Sequence, residues 1–249
     1  MGPSGGPGTS DPGRMTFSSM TLASLVSQAY DVLPFQLSCA DWLYTARFDI
    51  IAKVPEGATK EQISIMLRNL LEDRFQLKVR QETKDMPILE LSIARGGPKL
   101  KAAAGDSTQQ EAMSGEPVLD KDGFPQIPRG QSNMLVVDGR ARWQAPGAHM
   151  DRLTRMLSRE LGKPVTDATG LRGNYDLSLY WVTGDAHATS LVATSDAEVA
   201  APTLGATDAV VGPTIFGAIK AQLGLRLDPK KGAASILVVD SAARVPTGN

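Results

Sequence analysis

The sequence predicts an α+β protein of two related lobes, each packing two helices on one face of a small mixed or antiparallel sheet. Three observations carry this. The order helix, extended segment, helix, strand, strand occurs from Ser19 to Ile93 and again from Ala148 to Asp240, and a repeated order has to be read before any single element because it sets the architecture. The helical stretches carry apolar residues on a 3.6-residue period, and the stretches between them alternate or run apolar over a few residues, as sheet strands do. A break in composition over residues 96–130 then separates the two copies, with Gly96-Gly97-Pro98, a polar run through Gln109-Gln110-Glu111, and Pro117, Pro125 and Pro128.

Residues 1–14 are rich in Gly, Pro and Ser and read as a flexible lead. In the first lobe, residues 15–101, Leu22, Leu25, Val26, Ala29 and Tyr30 make one apolar stripe of a helix that Pro34 ends. Phe35 to Val54 reads as extended chain with a turn around Cys39 to Asp41. The second helix starts at a capping box, Thr59 with Gln62 three residues on, and buries Ile63, Met66, Leu67, Leu70 and Leu71. Leu77 to Arg80 and Ile88 to Ala94 are expected to form a hairpin around a basic turn. Residues 102–130 are a linker or long loop.

The second lobe, residues 131–249, opens with strands near Met134 to Val137 and Arg140 to Gln144. Its first helix carries Met150, Leu153, Leu157 and Leu161 and stops at Gly162. Extended chain follows from Val165 to Val182. Residues 183–212 hold Asp185, Asp196, Glu198 and Asp208 with no Lys, Arg or aromatic residue, which predicts a mobile insertion. The last helix uses Ile215, Phe216, Ile219 and Leu223, Gly224 closes it, and a second hairpin brackets Lys230-Lys231-Gly232. Residue by residue, Leu22, Leu25 and Val26 align with Met150, Leu153 and Thr154. Arg47-Phe48-Asp49-Ile50 aligns with Asn174-Tyr175-Asp176-Leu177, and Phe75-Gln76-Leu77-Lys78-Val79 with Leu223-Gly224-Leu225-Arg226-Leu227.

With 249 residues, 42% of them hydrophobic, the chain is long enough to bury a core in two lobes. A net charge of −1 gives no long-range attraction to nucleic acid or an acidic membrane surface. No apolar run reaches the roughly 20 residues that cross a bilayer. The first residues lack the apolar stretch of a signal peptide, and the one cysteine, Cys39, has no partner within the chain for a disulfide.

Several strings carry a family resemblance. Gly6-Pro7-Gly8-Thr9-Ser10-Asp11-Pro12-Gly13-Arg14, Asp41-Trp42-Leu43, Arg47-Phe48-Asp49-Ile50, Glu82-Thr83-Lys84-Asp85-Met86-Pro87 and Gly96-Gly97-Pro98-Lys99-Leu100 lie in the first half. Asp167-Ala168-Thr169-Gly170-Leu171-Arg172-Gly173-Asn174-Tyr175-Asp176, Gln222-Leu223-Gly224-Leu225 and Val239-Asp240 lie in the second. Together they resemble a large protein family of unknown function that is expanded in soil Acidobacteria. Members usually begin with an export signal, and some carry the domain beside a membrane metallopeptidase sensor. The resemblance implies a periplasmic or extracellular location, and this chain shows no export signal of its own. Each half also resembles, more distantly, the short N-terminal domain of secretins and TonB-dependent receptors, small modules that bind protein partners in the bacterial envelope. That likeness implies a role only by analogy.

Catalytic and ligand motifs are sparse. The spacing Gly-x-Ser-x-Gly occurs once, at Gly2-Pro3-Ser4-Gly5-Gly6, in a Gly-rich lead that neither follows a strand nor enters a helix directly, as a nucleophile elbow must; there is no Ser-x-x-Lys and no phosphate-cradling Gly-x-x-x-x-Gly-Lys-Ser/Thr. The imidazoles are His149, at a helix start beside Asp151, and His187 in the acidic insertion. Zinc sites need clustered His and Cys, which this spacing does not supply. Asp120-Lys121-Asp122-Gly123 opens like a calcium loop but lacks the later ligands. No cofactor is expected. The candidate binding residues are Trp42, Arg47, Asp49, Tyr175 and Asp176: Arg47 and Asp49 share the strand face opposite Phe48, and Asp176 repeats Asp49 in the second copy. A solvated strand face explains the same pattern, and a core role explains Trp42, Trp143 and Trp181. The leading expectation is a non-catalytic binding or interaction module of the bacterial envelope or exterior, with a protein or small-molecule partner. A hydrolase of small esters or lactones with a nonlocal site between the lobes, or a regulatory domain for a peptidase, are the alternatives.

Overall fold

The structure, a computed structural model, describes residues 4–103, 132–137, 139–183 and 212–248. Most of the expected linker and of the acidic insertion, with Asp120, Asp122 and His187, lies outside the described residues. In chain order the strands are β1 (Ser4–Gly5), β2 (Arg14–Thr21), β3 (Leu37–Ser38), β4 (Arg47–Lys53), β5 (Lys78–Ile93), β6 (Lys101–Ala102), β7 (Asn133–Val137), β8 (Arg140–Ala148), β9 (Val165–Asp167), β10 (Tyr175–Val182) and β11 (Leu225–Ser241). The α-helices are α1 (Leu22–Tyr30), α2 (Trp42–Thr45), α3 (Lys60–Phe75), α4 (Met150–Leu161) and α5 (Ile215–Ala218), the last continued by a π-helical turn over Ile219–Leu223. The chain is α+β, as the periodicities predict.

Two compact units form, and each is discontinuous in sequence. One comprises Met1–Pro87, Leu161–Lys163 and Lys231–Asn249, the other Ile88–Glu160 and Pro164–Lys230. This differs from the consecutive lobes expected at 15–101 and 131–249. The cause lies in the two expected hairpins. No residue from Arg80 to Pro87 or from Lys230 to Gly232 takes a positive φ, so neither basic segment makes the tight primed turn that returns a strand on itself. Each runs straight on as one long strand, β5 and β11, and each strand contributes residues to both units.

In the first unit β1, β2 and β4 form an antiparallel sheet in the order β1-β2-β4. The glycine-rich lead is part of it, pairing Ser4 with Thr16 and Gly5 with Met15. Gly5 has φ +78°, and a Cβ there would lie 2.1 Å from the Arg14 carbonyl oxygen; glycine is used here for tight return, where the composition alone read as a flexible lead. Helix α1 begins at Thr21, whose hydroxyl accepts from Ser24 N, and its Leu22, Leu25, Val26 and Ala29 are fully buried. Helix α3 begins at the predicted box: Gln62 N donates to Thr59 Oγ1 at 3.3 Å and Thr59 N to Gln62 Oε1 at 2.8 Å. It packs on α1 through Leu67, Leu71 and Phe75, and Arg68 Nε donates to the Ala29 carbonyl at 2.7 Å while its guanidinium lies over Tyr30. β3 pairs in parallel with the far end of β11, Leu37 opposite Leu237.

In the second unit β6, β10, β8 and β7 form an antiparallel sheet in that order. Its core holds Trp143, Trp181, Leu177 and Leu179, so two of the three tryptophans are core residues. Trp181 Nε1 donates to Glu160 at 3.3 Å, which satisfies its buried donor. β9 pairs in parallel with β5, Leu89 opposite Val165, and the buried Ser158 of α4 fixes its start: Ser158 Oγ accepts from Val165 N at 2.9 Å and donates to the Thr154 carbonyl. The family string at Asp167 is a turn, in which Thr169 N and Oγ1 both donate to Asp167 Oδ1.

Candidate binding groove

Strand β4 alternates by the period of two. Phe48, Ile50 and Ala52 share the face of Phe17 and Met15 on β2, their register partners being Met20, Phe17 and Met15, while Arg47, Asp49, Ile51 and Lys53 are exposed on the other. α3 covers the inner face only in part, because its closest packing is against α1. A groove of about 340 Å³ remains. Its floor is Met15 and Phe17, one wall is Ala52, Lys53 and Val54, and the other is Ile63, Met66 and Leu70 with Asn69, Asp73 and Arg74 toward the end of α3. Ile63, Met66 and Leu70 are half-buried where the sequence predicts burial, and neighbouring Ile65 is 53% exposed. The helix therefore has a wider apolar face than its packing uses. On one long edge β4 pairs with β2, and on the other no described strand pairs with it.

The predicted site residues are not in this groove. Asp49 Oδ1 accepts from Ser19 N at 2.7 Å, and Arg47 Nη1 donates to the Ser19 carbonyl at 2.8 Å. Ser19 lies in a bulge between Phe17 and Met20 and has φ +53°, a conformation that costs a non-glycine residue energy. The shared face of Arg47 and Asp49 thus holds the chain's entry into α1. In the second unit Asp176 Oδ1 accepts from Gly147 N at 3.0 Å, Gly147 has φ +68°, and the β8–β10 pairing shifts register at the same place. Each capped residue stands two before the residue that precedes a helix. Tyr175 packs over Gly173, where a Cβ would lie 3.1 Å from its hydroxyl. Trp42, at the start of α2, is half-buried with the Arg244 guanidinium 5.4 Å from its ring centroid.

Among the described residues, no catalytic groups are assembled around His149. His149 is exposed, and its imidazole has no hydrogen bond to another described residue. Burial pushes the Cys39 thiol up, and burial together with the adjacent Cys39 pushes the Tyr44 hydroxyl up to about 12; Tyr44 donates to the Leu37 carbonyl at 3.2 Å. A raised thiol is a weaker source of thiolate at neutral pH. Among the described residues no group of three or more His, Cys, Asp or Glu is placed to hold a metal ion, and no helix is long and apolar enough to cross a membrane.

The fold and groove define an α+β protein of small sheets, with an apolar concavity between α3 and the strands β2 and β4. A family described as "Protein of unknown function (DUF3738)" matches residues 23–242, and the chain belongs to that family. No curated protein and no solved structure matches the chain.

Proposed function

We propose that this chain is a non-catalytic binding module of the bacterial envelope or exterior, and that the groove between α3 and the first sheet is its binding site. One observation carries the reading: the groove between α3 and the first sheet is apolar and open along Ile63, Met66 and Leu70, which the fold leaves half-exposed. Pockets that bind are commonly apolar with a few polar groups at the rim, and here Lys53, Asn69, Asp73 and Arg74 supply those. The alternative of ester or lactone hydrolysis draws no support from His149, which faces solvent. Titrating the protein with an environment-sensitive apolar dye tests the site. Wild type should bind it, and Met66→Arg, which places a charge in the groove, should remove binding without lowering the melting temperature. Equal dye binding by both proteins would exclude the groove. Ester or lactone turnover lost on replacing His149 and His187 by Ala, with the fold intact, would favour the hydrolase instead.

We also infer that the two halves descend from an internal duplication. The orders β2-α1-β3-α2-β4-α3-β5 and β8-α4-β9-β10-α5-β11 agree apart from the short α2, which has no counterpart among the described residues of the second half, and antiparallel β2–β4 answers β8–β10. Aligned positions do the same work: Asp49 and Asp176 cap a left-handed bulge residue, and Gln76 and Gly224 both end a helix with positive φ. The likeness of each half to secretin and TonB-receptor N-terminal domains stays a proposal about fold alone.

A further inference from the structure

We propose that the segment from Ala243 to Gly248, which follows β11, is a releasable strap that closes the C-terminal end of α3 and, while attached, occupies the arginine at that end of the groove. The last four carbonyls of an α-helix have no partner within the helix; in α3 they belong to Glu72, Asp73, Arg74 and Phe75. The strap meets three of them. Ala243 N donates to the Phe75 carbonyl at 2.6 Å, Thr247 N to the Arg74 carbonyl at 2.8 Å, and Thr247 Oγ1 to the Asp73 carbonyl at 3.1 Å. Arg74 Nη1 donates in return to the carbonyls of Thr247 and Gly248. Helix ends are commonly closed by the residues that follow them directly, whereas Thr247 reaches Asp73 and Arg74 from 174 and 173 residues further along the chain.

The way the strap is held makes it releasable. From Arg244 to Gly248 every residue is exposed, Val245 at 78%, so no apolar side chain of that stretch is buried to anchor it. Its other attachment is the Arg244 guanidinium, 5.4 Å from the centroid of the half-buried Trp42 ring, and a cation–π contact at an exposed site is weak. Segments held by solvent-exposed hydrogen bonds, with few buried apolar contacts, open at a fraction of the free energy of global unfolding. Opening has a specific chemical result. Asp73 and Arg74 both line the groove, and it is the strap's carbonyls that take up the Arg74 guanidinium. Release frees that cation for an anionic group carried by an apolar ligand. Attached, the strap is an autoinhibitory contact toward such ligands. This consequence rests on the groove reading above; the hold on α3 does not.

Two measurements on the full chain test it. In native-state hydrogen exchange the Thr247 amide should be protected, yet open far more readily than the amide of Leu71 in the body of α3. Exchange of Thr247 as slow as that of Leu71 overturns release, and exchange as fast as in a free peptide overturns attachment. The second compares wild type with a variant carrying Arg244→Ala and Thr247→Pro, which removes the ring contact and both Thr247 donors. An uncharged apolar dye and its sulfonated counterpart are titrated into each. The variant should bind the sulfonated dye about threefold or more tightly than wild type does, with little change for the uncharged dye, and adding Arg74→Gln should cancel the gain. Equal sulfonated-dye affinity in wild type and variant overturns the autoinhibitory contact, as does a gain that survives Arg74→Gln. If neither dye binds either protein, the groove reading falls and the autoinhibition with it, while protection at Thr247 still decides whether the strap holds α3.

Discussion

Replacing Asp49 and Asp176 separately by Ala tests whether these carboxylates are anchors of the backbone or exposed recognition groups. A hydrogen bond from a backbone N–H to a carboxylate contributes about 1.5–3 kcal/mol where water is excluded and less where water can take the vacated place. Asp49 and Ser19 are both exposed, so Asp49→Ala should cost about 1 kcal/mol. Asp176 and Gly147 are half-buried, and Asp176→Ala should cost more, about 1–2 kcal/mol. In a chain of this size each kcal/mol lowers the melting temperature by about 2–4 °C. Thermal unfolding gives the cost, and amide hydrogen exchange at Ser19 and Gly147 locates it, since each amide should lose protection only in its own variant. Stability within about 0.3 kcal/mol of wild type in both variants, joined to loss of partner binding, would refute the anchoring argument and restore these residues as a binding surface.

Leu71, fully buried between α3 and α1, should cost about 2–5 kcal/mol when cut to Ala, whereas Leu70→Ala, at the groove wall, should cost clearly less; denaturant unfolding of both variants checks the assigned helix face. Gly224→Ala should destabilise by about 1–3 kcal/mol, because φ is +65° and the new Cβ would lie 2.2 Å from the Gly97 carbonyl oxygen; an unchanged melting temperature would show that this loop shifts freely. The Tyr44 hydroxyl, raised to about 12 in the fold, favours the folded state below the unfolded value near 10, and that contribution is lost as pH rises through 12. Between those pH values wild type should lose stability more steeply than Tyr44→Phe in melts at matched ionic strength.

Local signals carried the elements, and nonlocal ones escaped. The box at Thr59 and Gln62, the stripe from Leu22 to Ala29 and the stop at Gly162 act within a turn or two of chain, so their residues report them directly. The segments Arg80–Lys84 and Lys230–Gly232 look like turns because charge and glycine are common there, yet strand pairing along β5 and β11 overrides that composition. The glycines of the lead misled in the opposite direction, since positive φ at Gly5, Gly6 and Gly8 builds order. At the candidate site, the pairing of Arg47 with Asp49 was visible as a shared strand face, but its object, Ser19, is 28 and 30 residues away and carries no mark of its bulge. The periodicity places Met66 and Leu70 on the core face because it shows which residues share a helix face and not how far a neighbouring sheet covers it.

On the duplication reading, what the halves share and where they differ separates scaffold from site. The aspartate caps, the positive-φ helix ends and the long strands recur in both, and each has a structural task that does not involve a partner. The second helix of each half has diverged. α3 runs for 16 residues with Ile63, Met66 and Leu70 left partly open, whereas its counterpart is a four-residue α-turn and a π-helical turn whose Ile215, Ile219 and Leu223 are buried. Gln222 of that counterpart instead binds the sheet, donating through Nε2 to the Tyr180 carbonyl at 2.7 Å and accepting from Tyr180 N at 3.0 Å. The helix that closes on its own sheet in the second half is the one that stands away from it in the first. On that reading the open α3 wall is where the two copies differ among the described residues, so substitutions along it are where recognition should change with the least effect on folding.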